Sequence, residues 1–180
     1  MMRDFIDISY LKEGSSIQQF SYRLLKEVDL FSILMKYHPI LTGTIPIGID
    51  VEGSDLDIIC EVSDFSEFHQ IIEKNYAHHD DYSYSGIQIR NQKEYVTYSF
   101  FVKGMQIEIF AENKPTNEQN AYRHMLIEHY FLGLKGEDFK KEIIALKADG
   151  LKTEPAFAKL LELEGDPYLE LLKFWDNIQQ

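Results

Sequence analysis

The sequence is short of cations, has a single cysteine and contains no long apolar run, and each shortage removes a class of function. There are 18 lysines and arginines against 30 aspartates and glutamates, a formal net charge of −12 over 180 residues. Binding to a phosphate backbone draws most of its affinity from Lys and Arg contacts, so DNA and RNA are poor candidate partners. A nucleoside triphosphate is a different case, because divalent cations neutralise both its phosphates and the carboxylates that hold them. Cys60 has no second cysteine to pair with and, inside Leu56-Asp-Ile-Ile-Cys60, reads as a small core residue. The longest apolar stretches are interrupted, as in Phe31-Ser-Ile-Leu-Met35, and fall short of the roughly 18–20 residues of a membrane span. No membrane association is expected. The opening Met-Met-Arg-Asp-Phe-Ile-Asp lacks a basic segment followed by an apolar run, which makes the cytoplasm the expected compartment.

What is present is an ordinary globular balance, 44% hydrophobic, 13% aromatic and 27% charged, in a length that suits one domain with a modest appended lobe. Ile17, Phe20, Leu24, Leu25, Val28, Phe31 and Leu34 recur at helical spacing and predict one amphipathic helix from Ser15 to Lys36, ended by Pro39. Ile40–Thr42 reads as a short strand stopping at Gly43, and the stretch onward to Ser54 as a loop punctuated by Gly43, Pro46, Gly48 and Gly53. Leu56–Val62 is apolar on both alternating faces, the mark of a central strand covered on both sides. Asp64 and Glu67 open a further helix to about Tyr76. Tyr82–Arg90 and Glu94–Val102 alternate as a hairpin around Asn91-Gln-Lys93, and Met105–Phe110 supplies another strand after the Lys103-Gly104 turn. Beyond Pro115, Thr116 and Gln119 form a capping-box pattern, and helices are predicted over 117–132, 137–148, 155–163 and 167–178. The expected organisation is an α/β core over residues 1–115 and a helical portion over 116–180 packed on it as one unit.

Chemistry concentrates between Gly43 and Asp57. Asp55 and Asp57 stand two apart at the start of a strand, so their side chains leave the same face and can share a hard cation such as Mg²⁺. Two carboxylates that close repel unless something positive lies between them. Gly43 and Thr44 end the preceding strand, where a turn without a bulky side chain lets backbone N–H groups approach a phosphate oxygen, and Thr44 adds a hydroxyl. Ser54 reads equally as a loop residue bonding its own backbone and as a site residue.

In Gly43-Thr44, Gly48 and Ser54-Asp55-Leu56-Asp57 the chain resembles the nucleotidyltransferase superfamily, with the DNA polymerase beta-like fold: a Gly-Ser or Gly-Gly pair, a further Gly, then Ser-Asp-x-Asp among apolar residues. Thr44 stands where the family usually has Ser, and Ile47 where many members carry a basic residue. The resemblance implies a mixed sheet flanked by helices and a third carboxylate on a later strand, a description that Glu108 in Met105-Gln-Ile-Glu-Ile-Phe110 fits. It further implies a two-metal arrangement with Mg²⁺ or Mn²⁺, in which Asp55 and Asp57 hold the triphosphate-bound ion and Glu108 joins them beside the attacking hydroxyl and accepts its proton. The later stretches Asn120–Met125, Gly150–Phe157 and Gly165–Tyr168 are similar to a small bacterial family of uncharacterised nucleotidyltransferase-like proteins.

Arg90, Lys103, Arg123 and Lys152 are the cations to consider for triphosphate contacts, Lys152 first, in its compact Gly-Leu-Lys-Thr-Glu-Pro turn. His78-His-Asp-Asp81 reads as a solvated turn, since adjacent side chains diverge. His124 and His129, five apart, miss the spacing that puts two ligands on one helical face and read as structural. Tyr82, Tyr84, Tyr95 and Tyr98 can stack on a base or simply pack in strands. Two function classes follow: a metal-dependent transferase moving a nucleoside monophosphate to a hydroxyl of a small molecule or protein, and a catalytically silent module that keeps the fold and binds a nucleotide or protein. An RNA-modifying transferase runs against the acidic charge.

Overall fold

The computed structural model describes residues 5–175. In chain order the elements are α1 (Ser16–Glu27), α2 (Leu30–Ile33), β1 (Ile40–Thr42), α3 (Thr44–Ile47), β2 (Leu56–Glu61), α4 (Phe65–Tyr76), β3 (Asp80–Tyr84), β4 (Gln88–Arg90), β5 (Lys93–Val102), β6 (Met105–Glu112), α5 (Asn120–Ala148), α6 (Thr153–Leu160) and α7 (Pro167–Leu172). Short 3₁₀ turns cover Ile8–Glu13, Met35–Tyr37 and Thr116–Glu118. The strands form one mixed sheet in the order β1-β2-β6-β5-β3, with β4 paired to β5 as well. Only β2 and β6 run parallel, and the other pairs are antiparallel. The expected fold class, a mixed sheet flanked by helices and followed by a helical C-terminal portion, is the one observed.

Strand alternation divides the side chains into two cores. One face sends Leu41, Leu56, Ile58, Cys60, Tyr98, Phe100, Ile107 and Ile109 against Leu24 and Leu25 of α1, Leu30 of α2 and Phe68 and Ile72 of α4. The opposite face carries Ile40 and Ile59, which pack with Met125, Leu126 and Ile127 of α5, Phe157 of α6 and Leu171 of α7. β2 is therefore covered on both sides, as its uninterrupted apolar character requires. On that second face the apolar row stops at Thr42, Asp57 and Glu108, which stand side by side across β1, β2 and β6. A polar row under a helical layer leaves room for a cleft.

Several expected elements differ in detail. The single helix predicted from Ser15 to Lys36 is broken at Asp29, whose φ of 52° is left-handed. Apolar periodicity runs through the break because Leu24, Leu25, Leu30 and Leu34 all reach the same core, and Asp tolerates the left-handed region through its short polar side chain. The strand predicted over Tyr82–Arg90 is two strands separated around Gly86, which has φ 67°. The Thr116/Gln119 capping box is absent: neither position caps through its side chain. Gln119 is buried instead, its Nε2 donating to the carbonyls of Cys60 and Lys114 at 2.9 Å each, which ties the start of α5 to the sheet. The predicted helices over 117–132 and 137–148 form one element with a break at Gly136 (φ 81°, ψ −169°). The helix predicted from Pro155 starts at Thr153, since a first-turn N–H needs no helical acceptor and proline fits there. Of the last predicted helix, Pro167–Leu172 is helical and a turn follows at Lys173 and Phe174, while positions 176–178 lie outside the described residues.

Candidate nucleotide and metal site

A cleft of about 580 Å³ opens between the polar row of the sheet and the α5–α6 layer. Gly43, Thr44, Ser54, Asp55, Asp57, Glu108 and Lys152 all line it, so the residues singled out from the sequence meet in one place. Asp57 pairs with Thr42 on β1 and with Glu108 on β6, in register, and neighbouring strands lie about 4.8 Å apart. Asp55 precedes β2 by one residue.

Gly43 is required twice over. Its φ is 83°, and a Cβ there would lie 2.4 Å from the Asp57 Oδ2 atom. Thr44 then opens the single turn of α3. Ser54 closes the intervening loop: its Oγ accepts from the Val51 N–H at 2.9 Å and from the Thr44 hydroxyl at 3.4 Å. The serine thus has a structural role that accounts for its hydrogen bonds.

The electrostatics are lopsided. Glu52, Asp55, Asp57, Glu108, Glu128 and Glu154 line the cleft, against Lys147 and Lys152. Burial first, and then the charges of Asp55, Glu108 and Glu154, push the Asp57 carboxyl up to about 7, with Lys147 opposing. Glu108 is raised by burial and by Asp55. Glu154 is raised by burial, and Glu128, 4% exposed, is raised well above the carboxylate range by burial and by Glu154. Burial pushes the Lys147 ammonium down, against the pull of Glu128, Asp50 and Glu154, while its Nζ donates to the Ile49 carbonyl at 2.8 Å. Carboxylates held this way lack positive charge, and a bound dication is the usual remedy.

Sequence reasoning missed the helical wall. His124, Met125 and Glu128 of α5, Lys147 near its end, and Thr153 and Glu154 of α6 complete the cleft. The signal that was available is the spacing of His124 and Glu128, four apart on one helix face. Of the other candidate cations, Arg90 lies over the Tyr95 and Phe110 rings, Lys103 pairs with Glu27, and Arg123 lies 5.2 Å from the Trp175 ring centre. None of those three lines the cleft. Tyr84 and Tyr98 stack on each other at 4.8 Å, Tyr98 being buried, and His79 stacks on Phe100, all away from the cleft. His129 packs edge-on against Phe5.

This sheet order, with a polar row facing a helical layer, defines a nucleotidyltransferase fold. The chain belongs to the family described as a domain of unknown function (DUF4269), whose model matches residues 23–174. No curated protein matches it in sequence. Among solved structures, it is similar to the Cid1 poly(U) polymerase with MgGTP bound, with TM-score 0.55 and 16% identity over 78% of this chain and 46% of that one. The same polymerase with Mg 3′-dATP bound gives TM-score 0.56 and 14% identity over 91% and 52%. A cytoplasmic RNA terminal U-transferase gives 0.51 and 14% over 78% and 44%. The chain thus spans about half the length of these structures, and at such identities the likeness is one of fold. No described helix is long and apolar enough to cross a membrane.

Proposed function

We propose that the protein is a divalent-metal-dependent nucleotidyltransferase that moves a nucleoside monophosphate from a nucleoside triphosphate to a hydroxyl of a small molecule or protein. The observation that carries this reading is the convergence of Asp55, Asp57 and Glu108 on one cleft beside a glycine turn that leaves no room for a side chain. The donor set fits Mg²⁺ or Mn²⁺: all three groups offer oxygen, and burial together with the charges of Asp55, Glu108 and Glu154 pushes Asp57 towards its protonated form. Asp55 and Asp57 would hold the ion that accompanies the triphosphate, and Glu108 would join them on the acceptor side. Such ions supply charge neutralisation at the phosphoryl oxygens and lower the pKa of the attacking hydroxyl.

The chain's own groups do the rest. The backbone at Gly43-Thr44 presents N–H donors to a phosphate oxygen, with the Thr44 hydroxyl beside them. Lys152, immediately before α6, contributes a cation at the cleft wall where the triphosphate carries charge. Glu108, half-buried and raised by burial, accepts the acceptor's proton as its oxygen attacks the α-phosphorus and pyrophosphate leaves. The poly(U) polymerase named above is selective for UTP, but the net charge of −12 here opposes a nucleic-acid acceptor, so a small molecule or protein is the better substrate.

Label from α-labelled nucleoside triphosphates, supplied with Mg²⁺ and a metabolite extract, is expected to appear in a new product, with a fall of at least about a hundredfold in Asp57→Asn. Absence of transfer from every common nucleoside triphosphate, to extract or to protein, would count against the proposal.

A further inference from the structure

The helical wall of the cleft carries a second group of metal-ligating side chains that the transfer chemistry above does not use. His124 and Glu128 are one turn apart on α5, and Glu154 lies in the first turn of α6. One ligand atom from each lies within 4.8 Å of the other two. His124 is 6% exposed, lines the cleft, and its Nδ1 is buried without a hydrogen-bond partner. A buried imidazole nitrogen left unpaired is costly, so it marks a place where a ligand is wanted. Glu128, 4% exposed, is beside it.

We propose that His124, Glu128 and Glu154 form a second divalent-cation site, of the transition-metal kind, separate from Asp55, Asp57 and Glu108. The imidazole decides the class. Mg²⁺ takes oxygen ligands, whereas Zn²⁺ and Mn²⁺ accept a nitrogen with two carboxylates. Three protein ligands facing a cleft leave coordination positions open to water or substrate, and the ion ties α5 to α6 across Asp149-Gly150-Leu151-Lys152. Lys147 offsets part of the negative charge, but its Nζ is engaged by the Ile49 carbonyl. The site stands independently of the transferase reading, because its ligands come from the helical layer alone.

The test uses ZnCl₂ and MgCl₂ as probes in calorimetry on the Asp55→Asn/Asp57→Asn protein, where the sheet carboxylate pair is removed. One equivalent of Zn²⁺ is expected to bind, with excess Mg²⁺ failing to displace it. Adding Glu154→Gln or His124→Gln is expected to weaken Zn²⁺ binding by at least about tenfold. No Zn²⁺ binding in the double variant, or unchanged binding after both further substitutions, overturns the proposal. If either added variant loses the native circular-dichroism spectrum, the double variant alone decides. Zn²⁺ binding that shifts the ring signals of one histidine supports the site, and binding without such a shift overturns it.

Discussion

At the residue scale, Asp57 sets how the metal-free protein responds to pH. Its carboxyl moves from the ordinary 3.8 up to about 7, so between those values the folded state holds a proton that the unfolded state has released. Stability then falls as pH rises from about 4 to about 7. Asp57→Asn removes that penalty, and thermal melts at pH 8 without metal are expected to show the variant more stable than the wild type, by on the order of 1–4 kcal/mol. Mg²⁺ should raise the melting temperature of the wild type and not of the variant. Gly43 obeys a stricter constraint, because a methyl there meets both a left-handed backbone and the Asp57 carboxylate. Gly43→Ala is expected to cost on the order of 1–3 kcal/mol in denaturant titrations and to weaken nucleotide binding. Asp55, Asp57 and Glu108 were legible in the sequence because strand alternation converts spacing directly into a shared face. His124 and Glu154 were not, since which helix faces the cleft depends on how α5 and α6 pack, and nothing local to either residue reports that.

At the element scale, the sheet was easier to read than the helices around it. β2 and the two tight turns at Asn91-Gln92 and Lys103-Gly104 follow from apolar runs and left-handed backbone positions, with φ between 51° and 79° at these four residues. The break at Asp29 escaped notice because both sides of it bury apolar residues in one core. Gln119 was misread for a related reason: its helix-capping pattern is real as sequence, but burial made its amide more useful between the Cys60 and Lys114 carbonyls. The bond to Cys60 joins β2 to the start of the helical layer that covers the site. Gln119→Ala removes both bonds, and equilibrium unfolding is expected to show a loss of about 1–3 kcal/mol with an unchanged far-ultraviolet spectrum. Gln119→Glu should do no better, since a carboxylate cannot donate to a carbonyl.

At the scale of the whole molecule, two helical layers serve different ends. The α1, α2 and α4 layer makes a continuous apolar core with the sheet, while the α5–α6 layer packs on Ile40 and Ile59 and stands over the carboxylates further along. The charge that appears in the composition as −12 is in part this cleft, where Glu52, Glu128 and Glu154 add to the three sheet carboxylates. On the proposed function, an anionic nucleotide enters only with cations. The account rests on that linkage, and calorimetric titration of nucleoside triphosphates into the protein with and without Mg²⁺ or Mn²⁺ tests it most directly. The predicted result is binding that requires the metal and disappears in Asp55→Asn/Asp57→Asn. Binding that is indifferent to metal, or that survives in the double variant, would contradict it.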